Sequence, residues 1–167
     1  RLAATPLAAS LVAIADRQML ERAARRCGLH IALVDDDGSA QIERQPGTLR
    51  VRHLPLAVDE VPGRPDPRNA RYVLDSLAEA ADGCGKGRYA AVVTAPLQKS
   101  SINDAGIPFS GHTEFFAERA HANVVMMLAS PELRVALVTT HLPLAAVPAA
   151  ITVATLTRTL RIVHADL

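Results

Sequence analysis

The chain has 167 residues, 49% of them hydrophobic, and a formal net charge of +1. That is enough for one ordinary globular domain with a core. Only 3% of the residues are aromatic, and the sequence lacks the basic stripe or stacking aromatics of nucleic-acid-binding proteins. No apolar run approaches the roughly 20 residues that a membrane span needs. The two cysteines, Cys27 and Cys84, predict no disulfide framework.

Both ends of the chain are unusual. It begins at Arg1 without a methionine, and residues 1–10 lack the charged and apolar regions of a signal peptide. It stops at Leu167 inside a predicted helix that has no cap. We therefore expect a partial α/β region of a longer protein.

Short apolar runs alternate with amphipathic stretches along the chain. Runs rich in β-branched residues predict strands, and apolar residues three and four apart predict helices. The predicted strands are residues 11–15, 30–34, 48–54, 90–93, 124–128 and 133–138. The predicted helices are residues 17–27, 68–84, 114–121 and 151–167. This alternation favours an α/β fold with a mostly parallel sheet.

Local signals refine these elements. Asp16 suits the N-cap of the first helix, and Gly28 suits the position after its end. The acidic run 35–38 predicts a solvated turn, because it lacks the alternating ligands of an EF-hand loop. Residues 55–67 hold four prolines and predict a connecting loop. The last helix is expected to turn an apolar stripe inward: Val153, Leu156, Leu160 and Val163.

Residues 89–116 are the stretch most typical of a functional site. The predicted buried strand 90–93 is stopped by Pro96, and a polar segment punctuated by Gly106 and Pro108 follows. Ligands of open α/β sheets bind beyond the carboxyl ends of strands. We therefore expect a site in this segment, with Asn103 and Asp104 serving only to form its turns.

Three residue types in this region could carry chemistry. Gly111 lets a ligand approach the backbone ahead of His112 and Thr113, which could hydrogen-bond a small polar substrate near a helix N-terminus. The alternative is that Thr113 merely caps the helix. Lys99 could neutralise a phosphate or be a solvated surface charge.

His141 follows the predicted strand 133–138 and two threonines. A neutral imidazole in that place could hold a divalent metal, with the threonines ordering it. The alternative is a core or cap histidine with one hydrogen bond. Neither a GxSxG nucleophile turn nor a GxGxxG dinucleotide motif is present.

Two long segments, TAPLQKSSINDAGIPFSGHTEFF and VVMMLASPELRVALVTTHLPL, resemble the 4-hydroxythreonine-4-phosphate dehydrogenase family of pyridoxal phosphate biosynthesis. The resemblance is strong over residues 69–167 and weaker before them. Two departures are that no GEPAGIGP-type segment stands near the N-terminus and that Ala70 and Ala95 replace usual glycines.

The resemblance implies a three-layer α/β/α fold with a mostly parallel sheet, like the two-lobed isocitrate and isopropylmalate dehydrogenases. A lobe boundary is expected near residues 55–67 or 88–116. The implied reaction is NAD-dependent oxidation and decarboxylation of 4-phosphooxy-L-threonine to 3-amino-2-oxopropyl phosphate.

By the same resemblance, His141 is one metal ligand, and His112 and Thr113 bind the substrate; no catalytic or cofactor-binding residue is assigned. The implied cofactors are NAD or NADP and a divalent metal such as Zn, Mg or Co. A cytoplasmic homodimer that shares its active site is implied, without nucleic-acid or membrane partners. The family's other metal histidines fall outside the segment matched, so we expect these residues alone to be catalytically incomplete.

Three alternatives remain open. The chain could belong to a dehydrogenase acting on another phosphorylated hydroxy acid, such as a four-carbon sugar-acid phosphate. It could be a non-catalytic domain that binds phosphorylated metabolites. It could also be a globular fragment without activity.

Overall fold

A computed structural model describes residues 9–38 and 46–167. The chain divides into two compact units, Arg1–Ala120 and His121–Leu167, called unit 1 and unit 2. The predicted lobe boundary remains a prediction, because a division into compact units does not identify the lobes of a larger enzyme.

Unit 1 alternates strands and helices as predicted. Its elements are β1 (Val12–Ala15), α1 (Arg17–Arg26), β2 (Ala32–Asp35), β3 (Thr48–His53), a 3-10 turn (Pro67–Asn69), α2 (Ala70–Gly85), α3 (Lys99–Asp104) and α4 (His112–Ala120). The strands form a parallel sheet in the order β1-β3-β2. An α/β fold with a parallel sheet is therefore confirmed.

Local capping explains where α1 begins and ends. The Asp16 carboxylate accepts a hydrogen bond from the amide of Met19 at 2.8 Å, and its other oxygen accepts one from the amide of Leu56 at 3.2 Å. Gly28 has a φ of 65°, the left-handed conformation that glycine adopts without a Cβ clash. Both predictions at this helix are confirmed. Cys27 and Cys84 are free, as predicted.

The acidic run at the end of β2 is solvated at Asp35 and Asp37, whose side chains are 83% and 70% exposed, but differs from the prediction at Asp36. Arg50 on β3 pairs with Asp36 at 2.7 Å and with Asp37 at 2.9 Å. The Asp36 side chain is only 5% exposed. Because β2 and β3 are neighbours, the sheet places this guanidinium beside the end of β2, and the charge pair compensates the burial of the carboxylate.

The core of unit 1 is small and apolar. Val51 and Ile102 are 1% and 2% exposed, and α2 contributes Leu77, Ala80 and Ala70. A fully buried side chain of the size of Val or Ile contributes about 1.5–3 kcal/mol. These residues therefore supply much of the apolar stabilisation within unit 1.

The predicted strand 90–93 is wrong. These residues form no strand with any described part of the chain, and Val93 is 94% exposed. A strand requires the hydrogen bonds of a neighbouring strand, and residues 90–93 do not pair with the open edge of β1 or of β2, which flank β3 in the described sheet. The following segment, predicted as a polar loop, contains α3.

Unit 2 contains β4 (Met126–Ala129), β5 (Arg134–Leu137), a 3-10 turn (Leu144–Ala146), α5 (Val147–Ala150) and α6 (Val153–Asp166). β4 and β5 are antiparallel, so the expectation of a mostly parallel sheet fails here. The reason is the short connection, in which the hydroxyl of Ser130 accepts hydrogen bonds from the amides of Glu132 and Leu133. A parallel pair needs a crossover of a dozen or more residues.

The last helix begins with a reciprocal cap between Thr152 and Thr155. The prediction that its apolar stripe faces inward is wrong for Val153, Leu156 and Leu160, which are 85%, 40% and 58% exposed, whereas Val163 is half-buried. The buried residue of this helix is Thr159. The neighbouring elements of unit 2 therefore cover a different side of α6 from the one that hydropathy selects.

No single helix among the described residues is long and apolar enough to cross a membrane. The helices Leu144–Ala150 and Val153–Asp166 meet the length and hydropathy test only together, and they are bent by 85°.

Candidate functional site

The turn between α3 and α4 is fixed by its own sequence. Ile102 is buried, and Asn103 accepts a hydrogen bond from the amide of Phe109 at 2.9 Å through its side-chain oxygen. Gly106 takes a φ of 78°, which closes the turn. Asn103 and Asp104 were predicted to form turns, but both belong to the end of α3, and the Asn103 side chain stabilises the turn that follows. This turn leads to Gly111 and His112.

His112 is the first residue of α4 and has a buried, unpaired ring nitrogen. Its ring stacks on Phe116 at 6.3 Å and meets Phe109 edge to face at 6.4 Å. Its Nε2 atom has no hydrogen-bond partner within the described part of the chain. A buried polar atom without a partner costs stability, and this nitrogen is therefore a candidate position for a ligand.

Gly111 brings two charged side chains against the start of α4. A Cβ placed on Gly111 would lie 2.8 Å from Oε2 of Glu114 and 3.3 Å from Nζ of Lys99. A larger residue would therefore require the Glu114 carboxylate to shift. Lys99 and Glu114 therefore lie with His112 at the start of α4. The sequence analysis predicted no role for Glu114.

Thr113 is the second residue of α4 and is exposed. Thr113 therefore lies in the first turn of α4, and both interpretations of it, as a helix cap and as a substrate-binding residue, stay predictions. The first turn of a helix carries free backbone N–H groups, and this region favours anions.

A charge pair holds α4 against α2. Arg119 donates to the two carboxylate oxygens of Asp82 at 2.7 and 2.8 Å. These hydrogen bonds lower the pKa of Asp82. The pair is a positioning contact that sequence periodicity could not identify, because 37 residues separate its members.

His141 lies in unit 2, beyond the end of β5, and is exposed. Its φ is 56°, and His121 has a φ of 49°. Non-glycine residues in this left-handed region are uncommon and strained. Strain of this kind is concentrated at functional sites, so the conformation of His141 supports a functional reading of it.

The site residues predicted from sequence fall into both units. His112 and Thr113 lie together on α4, with Lys99 beside them, whereas His141 belongs to unit 2. Among residues 9–38 and 46–167, no three His, Cys, Asp or Glu side chains are grouped to hold a metal ion. The imidazole of His141 is a suitable donor for a divalent metal, but it supplies one ligand where a closed site needs three or more.

Other charged clusters have structural explanations. Glu60 accepts hydrogen bonds from Arg22 and Arg26, which tie the proline-rich loop to α1. Hydrogen bonding from Arg22 lowers the pKa of Glu60 to about 2.

In unit 2, a surface groove of about 720 Å³ is lined by Asn123 and by residues of α6, which include Arg158, Arg161 and part of its first turn.

Curated relatives match almost the whole chain. It is 52% identical over 160 residues to the 4-hydroxythreonine-4-phosphate dehydrogenase of Pseudomonas aeruginosa, covering 94% of this chain and 49% of that protein. The corresponding protein of Chromobacterium violaceum is 51% identical over 160 residues, covering 95% of this chain and 48% of that protein. The chain therefore spans about half the length of the curated relatives it matches.

Solved structures share the fold. A 4-hydroxythreonine-4-phosphate dehydrogenase from Burkholderia phymatum matches with a TM-score of 0.80 and 29% identity, over 89% of this chain and 46% of that one. The structure from Klebsiella pneumoniae matches with a TM-score of 0.85 at 24% identity, over 96% of this chain and 50% of that one. At that identity, the second match shows the fold alone.

The model of one protein family, described as pyridoxal phosphate biosynthetic protein PdxA, matches residues 7–167. This match covers nearly every residue of the chain, including both segments on which the resemblance was recognised. The chain belongs to the PdxA family of pyridoxal phosphate biosynthetic proteins.

Proposed function

We propose that the protein to which this chain contributes oxidises and decarboxylates 4-phosphooxy-L-threonine with NAD, in pyridoxal phosphate biosynthesis. Family membership supports the reaction class, since the curated relatives are named 4-hydroxythreonine-4-phosphate dehydrogenases. The observation that carries the proposal is the buried, unpaired Nε2 of His112. A hydroxyl or carboxylate of a bound substrate would supply its missing hydrogen bond.

Substrate binding is assigned to the start of α4. His112 and Thr113 offer a ring nitrogen and a hydroxyl, and Lys99 offers a positive charge beside Gly111. Helix N-termini favour anions, so the negatively charged groups of a phosphorylated amino acid suit this end of the helix. The negative charge of Glu114 lies near the positive charge of Lys99. It would therefore weaken the attraction between Lys99 and a dianionic group such as a phosphate.

His141 is assigned as one ligand of a divalent metal. When bound, such an ion supplies Lewis-acid polarisation of the oxygen at the carbon being oxidised. The other ligands would come from outside the described residues, because no group of three donors lies among them. That these residues alone are catalytically incomplete stays a prediction.

The overall reaction balances with NAD as the oxidant. The carbon bearing the hydroxyl gives a hydride to NAD⁺ while the hydroxyl gives up a proton, which leaves a 2-amino-3-oxo acid. The bond to the carboxylate then breaks, carbon dioxide leaves, and the carbon that keeps the electron pair takes up one proton, which gives 3-amino-2-oxopropyl phosphate. The same proposal includes four further points: NADP could replace NAD, the protein is a homodimer with a shared active site, it has two lobes resembling those of isocitrate dehydrogenase, and it is cytoplasmic.

The experiment joins the 167 residues to the unmatched half of the Pseudomonas aeruginosa relative and measures NAD reduction with 4-phosphooxy-L-threonine. We expect activity that a chelator abolishes and a divalent metal restores. His112→Ala and Thr113→Ala should raise the KM, since each removes a substrate hydrogen bond worth roughly tenfold. His141→Ala should lose bound metal, whereas His121→Ala, a matched left-handed histidine, should keep it.

Several outcomes would contradict the proposal. Activity that survives both the chelator and His141→Ala would remove the metal role. If a four-carbon sugar-acid phosphate is turned over faster than 4-phosphooxy-L-threonine, the substrate is instead another phosphorylated hydroxy acid. Substrate binding without any NAD reduction would favour the non-catalytic binding domain.

A further inference from the structure

Gly111 lies where the side chain of Lys99 meets the start of α4. Lys99 is the first residue of α3, and Gly111 directly precedes α4. The buried Ile102 anchors α3, and the hydrogen bond from the amide of Phe109 to the side-chain oxygen of Asn103 holds the turn between the two helices. These contacts fix the backbone on both sides of the approach, so the place of the Lys99 ammonium depends on the space beside Gly111.

The backbone conformation of Gly111 does not explain why a glycine stands there. Its φ lies outside the left-handed region, so an alanine could adopt the same conformation. Its surroundings give the explanation: Gly111 is buried, and a Cβ would lie 3.3 Å from Nζ and 3.6 Å from Cε of Lys99. The Oε2 atom of Glu114, at 2.8 Å, shares this space. The missing side chain therefore leaves room for the ends of two charged side chains.

The Lys99 ammonium is available to a ligand. Among residues 9–38 and 46–167, it forms no ion pair with an Asp or Glu side chain. The residue after Gly111 is His112, whose Nε2 atom also lacks a partner in this part of the chain. An ammonium group has three donors, and the start of a helix favours anions. One anionic group bound there could therefore contact both side chains.

We propose that Gly111 is a positioning residue for Lys99. Because Gly111 has no side chain, it admits the Lys99 ammonium to the start of α4, where the ammonium contacts an anionic group of the substrate. An alanine at this position would keep the backbone and displace the ammonium. Both atoms that its Cβ would meet first are ends of flexible side chains, so the alanine variant should still fold.

This inference rests on the proposed function for the identity of the anion alone. The position of the ammonium is tested with inorganic phosphate, without substrate or NAD. A joined protein that does not reduce NAD would therefore remove the proposed function, while the phosphate experiment decides the role of Gly111.

The first experiment measures how strongly inorganic phosphate protects Lys99 of the 167-residue chain from acetylation. Mass spectrometry follows the reaction of each lysine with and without phosphate, at equal ionic strength. Bound phosphate should slow acetylation of Lys99 by about threefold or more, because charge-assisted hydrogen bonds occupy the ammonium. Lys86, the other lysine of the chain and also exposed, is the internal control and should react equally fast in both conditions.

Gly111→Ala should abolish this protection of Lys99. The added Cβ also displaces the Glu114 carboxylate, but that displacement alone would strengthen phosphate binding, so lost protection reports the displaced ammonium. Gly85→Ala is the matched control, because Gly85 has no left-handed φ and no atom within 4 Å of an added Cβ. Its variant should keep the protection. Urea unfolding checks that both variants are folded.

The second experiment uses the joined protein and separates binding from the chemical step. Gly111→Ala and Lys99→Met should each raise the KM for 4-phosphooxy-L-threonine about tenfold, since each removes one charge-assisted hydrogen bond, and should change kcat by less than about twofold. The double variant should be no worse than Lys99→Met, because Gly111 acts only through Lys99.

The positioning role is wrong if phosphate protects neither lysine or protects both equally, because Lys99 then holds no anion. Protection that persists in Gly111→Ala would show that the ammonium does not depend on the glycine. An alanine variant that unfolds, or KM effects that add in the double variant, would make Gly111 a structural residue and overturn the proposal.

Discussion

Unit 1 and unit 2 differ in how many of their large apolar side chains are buried. Unit 1 buries Val51, on the central strand of its parallel sheet, together with Leu77 of α2 and Ile102 of α3. Across unit 2, all of which the structure describes, no large apolar side chain is buried, and the buried side chain of α6 is Thr159. Apolar residues are abundant in both, so composition alone does not produce a core; the elements must also close over one another.

The units also differ in how they turn the backbone. In unit 1, left-handed positions such as Gly28 and Gly106 are occupied by glycine. In unit 2, His121 and His141 occupy such positions, and these are the two non-glycine examples among the described residues. Unit 1 therefore uses the unstrained residue, whereas unit 2 retains strain at a residue to which a metal-binding role is proposed.

Shortening a large apolar side chain should give the largest difference between the two units in the free energy of unfolding. Ile102→Ala should lower the free energy of unfolding by about 2–5 kcal/mol, because it leaves a cavity at a side chain 2% exposed. Leu160→Ala, at a side chain 58% exposed, should change it by less than about 0.5 kcal/mol. Urea unfolding of the 167-residue chain measures both, and equal effects would remove the distinction between the units.

Helix caps should give the next largest effect. Asp16→Ala should cost about 1–2 kcal/mol, because the amides of Met19 and Leu56 both lose an acceptor. Thr152→Ala in unit 2 should cost about 1 kcal/mol or less, since its cap is exposed. Asp16→Asn is the control that keeps a capping oxygen, and a loss equal to that of the alanine variant would contradict the capping role.

Left-handed positions should respond with opposite signs in the two units. Gly28→Ala should destabilise unit 1 by about 1 kcal/mol, because it forces a Cβ into a φ of 65°. His121→Gly and His141→Gly should stabilise unit 2 by up to about 1 kcal/mol through relief of the same strain. Amide exchange in each unit measures the changes, and a destabilised His121→Gly variant would show that its conformation is not strained.

The charge cluster on α1 should give the smallest effect. The folded-state pKa of Glu60 is about 2, below the ordinary value of 4.5, because Arg22 hydrogen-bonds its carboxylate. The stabilisation is therefore present above about pH 4.5 and is lost as the pH falls towards 2. Glu60→Gln should cost about 1 kcal/mol at neutral pH, because the Glu60 and Arg22 side chains are 20% and 27% exposed and solvent still screens the pair. Urea midpoints of both proteins should converge near pH 2; a constant difference would contradict the linkage.

The candidate site was predictable in part. His112 and Thr113 were identified from the motif around them, and the structure adds that the Nε2 atom of His112 is buried and unpaired. Glu114 was missed, because its proximity to Lys99 exists only once the turn at Gly106 has folded α4 back towards α3. The metal role of His141 remains a prediction that the structure supports through its φ alone.

The sequence by itself determined the local elements. Asp16 begins α1, Gly28 follows its end, Asn103 closes the turn before α4, and Thr152 begins α6. Each of these depends on hydrogen bonds or steric limits within a few residues, so the order of residues is sufficient to predict it.

Only the tertiary structure decided which apolar surfaces are covered. Residues 90–93 have the composition of a strand, and α6 has the periodicity of a packed helix, yet Val93 and Val153 are exposed. The connection after β4 likewise produced an antiparallel pair in place of a parallel one. A strand pairs, and an apolar side chain becomes buried, only where another part of the polypeptide lies against it. Hydropathy measures how favourable burial of a residue would be, not whether a partner surface is present.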